Sequence, residues 1–136
     1  MTSHLPANVT LFGQVPSKHV LIVEDAPGMR LLIRHILQQG GHKPIEAGSV
    51  EAALEELKLG AVDVIITDLF LPGDSGLELL RVLHGDPDAP PVIVLTSSGE
   101  DRLRERALTL GARAFLSKPF SRYELLDAVF AAGMPR

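Results

Sequence analysis

A single α/β domain, with a parallel sheet covered on both faces by helices, is predicted by three features of the chain. Five short apolar runs alternate with five segments whose apolar residues recur at helical spacing. The most apolar of them, at Val64 to Ile66 and Val92 to Leu95, are apolar at consecutive residues, as in strands buried on both faces, rather than alternating as in half-exposed ones. Four of the five runs stop at polar or charged residues: Glu24 and Asp25, Asp68, Thr96 and Lys118. Strand–helix alternation of this kind implies a doubly wound, three-layer α/β/α arrangement with right-handed crossovers. A chain of 136 residues makes one ordinary domain, and a domain near this size buries roughly 68–70% of its unfolded surface.

Each element has its own warrant. Residues 1–17 mix Pro6, Gly13 and Pro16 with a weak alternation at Val9 and Leu11, and read as a flexible leader or at most a loose extra strand. The domain proper is expected over 18–133, with 134–136 as a short tail. His19 to Val23 is the first strand. Pro27 suits a first helical turn, after which Met29, Leu32, Ile33, Ile36 and Leu37 recur until Gly40 and Gly41. A short second strand is expected near Lys43 to Glu46. Ser49 can cap a helix carrying Ala53, Leu54 and Leu57, with Gly60 just past its end. Val62 to Leu80 then holds the most apolar strand, Asp68, a Pro/Gly turn, and a helix from about Gly76 to His84 with Leu77, Leu80 and Leu83 inward. Val92 to Thr96 is the fourth strand, followed by a helix from about Glu100 to Leu110. Arg113 to Ser117 is the fifth. Ser121 and Glu124 have the capping-box spacing and open a last helix with Leu125, Leu126, Val129 and Phe130 on its inner face.

Composition narrows the function classes. A net charge of −4 supplies no basic footprint for nucleic acid. With no cysteine, disulfides and thiolate metal sites are excluded. The apolar runs fall well short of the roughly 20 residues a membrane helix needs. A soluble cytoplasmic protein is the expectation. His4, His19, His35, His42 and His84 lack metal-ligand spacing and read as surface residues.

The chemistry lies in the residues that end the strands. At the carboxyl edge of a parallel sheet, Glu24, Asp25, Asp68, Thr96 and Lys118 converge. Three neighbouring carboxylates repel by roughly 4 kcal/mol per pair at 4 Å and an effective dielectric near 20, so the cluster must take up protons or hold a cation. Mg²⁺, or Mn²⁺ in its place, suits such an oxygen site and leaves room for a phosphoryl oxygen. An aspartate beside that ion can attack phosphorus, with Lys118 and Thr96 stabilising the transferred group.

The motifs VED at 23–25, TDLFLPGDSG at 67–76, PVIVLTSS at 91–98 and GARAFLSKPF at 111–120 resemble those of response-regulator receiver domains of two-component signalling. The resemblance covers His19 to about Ala132. It implies a flavodoxin-like sheet of strand order 2-1-3-4-5 and a phosphoryl group received from a sensor histidine kinase or a histidine phosphotransfer protein. It makes Asp68 the phosphoacceptor. Asp25, Asp68 and the carbonyl of Phe70 become metal ligands, with Glu24 acting through metal-bound water. Thr96 and Lys118 would sense the phosphoryl group, Phe115 would change rotamer, and the Lys118–Pro119 peptide would be cis. Phe70 and Ser98, each two residues past a site residue, would tune dephosphorylation. Output would pass through the face of helix 4, strand 5 and helix 5 to a downstream protein target, with a dimer on activation as one form of that output. Nucleic acid and membrane are not expected as direct partners.

Plainer readings stand beside these. Asp68 alone is a turn cap, Thr96 alone strand filler, Lys118 alone a solvated lysine, and Phe115 alone core. Arg102, Arg104 and Arg106 alternate with acids as on an ordinary wet helix face, with partner docking as a secondary role. A phosphatase of the aspartate-nucleophile type wants an acid two residues after the nucleophile, where Phe70 stands. A receiver-like binding module independent of phosphorylation would be expected to have lost part of the five-residue set, and the set is complete. The chain could also be the receiver part of a longer regulator with an effector domain.

Overall fold

The computed structural model describes residues 9–10, 13–14, 16–71, 76–97, 99 and 101–134. Two short strands, β1 (Val9–Thr10) and β2 (Gly13–Gln14), pair antiparallel. Val9, half of the alternation that suggested a loose extra strand, lies in β1, and Leu11 lies outside the described residues. The main elements follow as β3 (His19–Val23), α1 (Pro27–Gln39), β4 (Lys43–Ala47), α2 (Val50–Lys58), β5 (Val64–Asp68), α3 (Gly76–Leu83), β6 (Val92–Thr96), α4 (Asp101–Thr109), β7 (Ala114–Ser117) and α5 (Arg122–Ala132).

The main sheet has five strands, all parallel, in the order β4-β3-β5-β6-β7. Counted within that sheet, this is the order 2-1-3-4-5. β5 and β6 are buried at every residue, which explains why their sequences are apolar without alternation. Alternate residues feed opposite faces. Leu21, Val23, Ile65, Val92 and Val94 join the cluster that includes Val50, Ala53, Leu77, Leu80 and Ala107 of α2, α3 and α4. Val20, Ile22, Val64, Ile66, Ile93 and Leu95 join the one that includes Ile33, Leu37, Leu125 and Val129 of α1 and α5. Each fully buried Leu or Ile contributes roughly 1.5–3 kcal/mol relative to exposure, so both faces of the sheet are covered by necessity.

Helix ends follow their chemistry. The Ser49 hydroxyl accepts from Ala52 N–H at 3.1 Å, and Gly60 sits at φ +78 just past α2. Ser121 and Glu124 form both bonds of the capping box. Several expectations need correction. Leu32 and Phe130 are 47% and 52% exposed: at about 100° per residue, Leu32 falls on the flank of the Ile33–Leu37 stripe and Phe130 roughly 140° from Leu125. Leu79, unassigned in the sequence, is fully buried, while Leu83 is only partly so. His42 is not a surface residue but 6% exposed, because its ring closes over the start of β3. Helix ends fall one residue short of expectation, at Leu83 and Thr109.

Candidate functional site at the carboxyl edge of the sheet

β3 delivers Glu24 and Asp25 to the carboxyl edge. Glu24 N–H continues the ladder to Ala47 O at 3.0 Å, which draws the side chain inward until only 2% of the residue is exposed. One carboxylate oxygen accepts from Ala26 N–H at 3.2 Å. Arg30, one turn into α1, pins this loop: its Nη1 donates to Glu24 O at 2.7 Å and Asp25 O at 3.4 Å, and its Nε to Glu46 at 3.1 Å. β5 delivers Asp68, which is 8% exposed. Its Oδ1 accepts from Phe70 N–H at 3.1 Å, and its carbonyl from the Thr67 hydroxyl at 3.0 Å. α3 returns against this turn so closely that a Cβ on Gly76 would lie 2.2 Å from Asp68 O. Gly76 N–H donates to Leu69 O at 2.8 Å. Only glycine allows that approach.

β6 ends at Thr96, 2% exposed, whose carbonyl accepts from Lys118 N–H at 2.7 Å. Lys118 follows β7 and its peptide bond to Pro119 is cis. Its ammonium bridges two elements of the edge, 2.5 Å from Asp68 Oδ2 and 3.3 Å from Glu24 Oε1. Burial pushes the Glu24 carboxyl above the usual range, opposed by the Ala26 amide and Lys118 and reinforced by Asp68. For Lys118 burial acts downward, but the hydrogen bond and charge of Asp68, then those of Glu24, outweigh it and leave the ammonium harder to deprotonate. The site therefore binds its own cation where charge would otherwise be stranded.

Of the residues singled out in the sequence, Glu24, Asp68 and Lys118 touch directly and Thr96 joins them through its carbonyl. Asp25 is exposed, and among the described residues no three His, Asp or Glu side chains form a metal-holding cluster. The expected convergence of three carboxylates is therefore replaced by two carboxylates on one ammonium, with Asp25 at the solvent-facing rim. The donor chemistry still fits a hard divalent ion: carboxylate oxygens of Glu24 and Asp68 from two strand ends, in a place already favourable to positive charge. Phe70 is 56% exposed beside Asp68, Phe115 is half-buried between α4 and the core, and Ser98 lies outside the described residues. Three supporting residues escaped the sequence reading: Arg30, Thr67 and the steric role of Gly76. The basic residue five after Asp25 was a visible signal for the first, whereas the close approach at Gly76 exists only once α3 is packed.

A profile for the response regulator receiver domain matches residues 20–130. The chain is 35% identical over 117 residues to the phosphate regulon transcriptional regulatory protein PhoB of Klebsiella pneumoniae, covering 85% of this chain and 51% of that protein. It is 40% identical over 107 residues to the KDP operon transcriptional regulatory protein KdpE of Escherichia coli K12, covering 79% and 47%. The chain thus spans about half the length of these curated relatives. Among solved structures, the signal receiver domain of a signal transduction histidine kinase from Syntrophus aciditrophicus shares 34% identity at a TM-score of 0.79, covering 86% of this chain and 90% of that one. A response regulator from Chloroflexus aurantiacus shares 28% at 0.80, covering 86% and 98%.

Proposed function

Because this chain belongs to the response regulator receiver domain family, we propose that it receives a phosphoryl group on Asp68 from a histidine kinase or a histidine phosphotransfer protein. The observation that carries the reading is the Lys118 ammonium held between Asp68 and Glu24. In the transfer, an Asp68 carboxylate oxygen forms the new bond to phosphorus as the bond to the donor's imidazole nitrogen breaks and the imidazole departs. Lys118 moves its charge from the carboxylate to the phosphoryl oxygens, and Thr96 stands at the adjoining strand end to donate its hydroxyl. Glu24, Asp25, Asp68 and the Phe70 carbonyl would hold Mg²⁺ or Mn²⁺. A bound ion supplies charge neutralisation between the carboxylates and the incoming phosphoryl group. The domain on this reading promotes its own phosphorylation and dephosphorylation, and acts as a signalling protein rather than on a separate substrate.

The switch follows from the same displacement of charge: Thr96 is drawn toward the phosphoryl group, Phe115 moves inward, and the face of α4, β7 and α5 changes shape for a partner. Coupling of this kind is typically about 1–3 kcal/mol. The exposed Phe70 ring would hinder an attacking water and prolong the phosphorylated state, and Ser98 would contribute to the same tuning. Fast loss of label from isolated phosphoprotein would count against that. PhoB and KdpE are transcriptional regulatory proteins of about twice the matched length, so the switched face would govern a transcriptional effector, carried on the same polypeptide or on a partner. No helix among the described residues is long and apolar enough to cross a membrane.

Labelling with acetyl phosphate and Mg²⁺ tests the assignment. Asp68→Asn should abolish the label, and undiminished labelling of that variant would sink it. The exposure of Asp25 favours one rival, a binding module that works without phosphorylation. A metal titration separates the two, since that rival would show no saturable Mg²⁺ site sensitive to Asp25→Ala.

A further inference from the structure

Phe115 lies on β7 in register with Val94 of β6. Like Leu103, it packs against the core cluster that includes Ala107 and Ala112 without being fully buried. Its ring is covered from α4: the guanidinium carbon of Arg104 sits 5.0 Å from the ring centroid. Asp101, Arg104, Glu105, Leu108 and Phe115 line an open groove of about 360 Å³. Among the described residues Arg104 has no ion pair, although Arg30, Arg34 and Arg81 each have one. Its charge is thus directed to the ring rather than to the acids on its own helix. A guanidinium over an aromatic face is attracted by the ring quadrupole, and the attraction exists only while the ring stays under it.

We propose that Arg104 is a positioning residue that latches Phe115 in its half-buried place beneath α4 and so opposes a further inward move of the ring. This rests on the phosphoryl-switch reading above. An interaction made in one state and lost in the other shifts the equilibrium by its own free energy. Without Arg104 the resting protein holds more of the inward form and needs less phosphoryl ligand to convert. Arg102 and Arg106, on the same helix without a ring partner, have no such effect.

The test uses protein labelled with fluorophenylalanine, its Phe115 fluorine resonance assigned by comparison with Phe115→Leu. The probe is beryllium fluoride with Mg²⁺, an acyl-phosphate mimic that requires Asp68. In wild type the Phe115 line moves on titration. In Arg104→Gln the line should already be displaced toward the liganded position, with half-saturation about two- to fivefold lower, the range expected of one exposed cation–π contact. Arg104→Lys, which keeps a cation, should restore part of the difference, and Arg106→Gln should match wild type. A responding wild type with the same resting line and the same half-saturation in Arg104→Gln overturns the latch and leaves the Asp68 reading intact. A wild type that does not respond overturns the Asp68 reading, and the latch with it.

Discussion

The two edges of the sheet both carry buried or half-buried polar side chains, yet they solve the problem of satisfying them in opposite ways. At the amino edge the hydrogen-bond partners are mainly backbone groups, with one exposed side-chain contact, His19 Nδ1 to Asp63 Oδ2 at 3.4 Å, beside them. Lys18 N–H donates to His42 Nδ1 at 3.1 Å, and His19 N–H to Asp63 Oδ2 at 2.7 Å, while Asp63 N–H returns to His19 O at 2.8 Å. At the carboxyl edge the decisive bonds join side chains: one ammonium serves the carboxylates of Asp68 and Glu24. A backbone partner is fixed by the ladder, whereas an ammonium on a four-carbon stem can be handed to another anion. The amino edge is accordingly built to stay closed, whereas on the proposed function the carboxyl edge would exchange partners.

Substitutions can break this contrast at either end. The largest expected effect is Asp68→Asn, which should eliminate labelling by acetyl phosphate while leaving the thermal midpoint close to wild type. Gly76→Ala comes next. Its Cβ would meet Asp68 O at 2.2 Å, so α3 must shift, and a loss of about 1–3 kcal/mol in urea unfolding is expected together with slower labelling. Since only the packing of α3 joins this residue to the chemistry, retention of both properties would refute the steric argument.

The amino edge should show stability effects without functional ones. His42→Leu removes the acceptor of Lys18 N–H and should cost about 1–2 kcal/mol, with labelling unchanged. His42 is also the source of a pH dependence. Burial, and then the nearby Lys18, lower its affinity for a proton in the folded state. The unfolded chain therefore protonates first. Stability contributed by the neutral ring is present above the unfolded value near 6.5 and is lost as pH falls below it. Urea midpoints between pH 7.5 and 5 should decline in wild type and flatten in His42→Leu. The smallest effect is expected at Asp63→Ala. Its carboxylate is about half exposed beside His19 and water can replace it, so a loss of about 0.5–1 kcal/mol is expected, in the lower part of the range for one hydrogen bond. If Asp63→Ala impaired labelling more than Gly76→Ala, the division of labour between the two edges would be wrong.

Much of this was legible in the residues themselves. Val64, Ile65 and Ile66 announce a strand with no solvent face, and Ser121 with Glu124 specifies a capping box that forms as written. Asp68, Glu24 and Lys118 could be placed at one edge because every parallel strand presents its carboxyl end to the same side. The errors cluster where a face or a neighbour decides. Phe130 follows Val129 in an apolar helix, and only the i, i+4 spacing of Leu125 and Val129, not hydrophobicity, separates the buried residue of the two from the exposed one. His42 looked like a solvated histidine because its partner, Lys18, is 24 residues away.

For this protein the sequence by itself determined the element order, the parallel sheet and the set of charged residues gathered at its carboxyl edge, because strand burial and helix caps are written in short-range patterns. Tertiary structure alone decided that Lys118 would bridge Asp68 and Glu24, that Asp25 would stay at the rim, that Gly76 would be pressed onto Asp68, and that Arg104 would lie across Phe115. Those outcomes depend on the distance between elements far apart in the chain, and only the packed sheet and its helices set that distance.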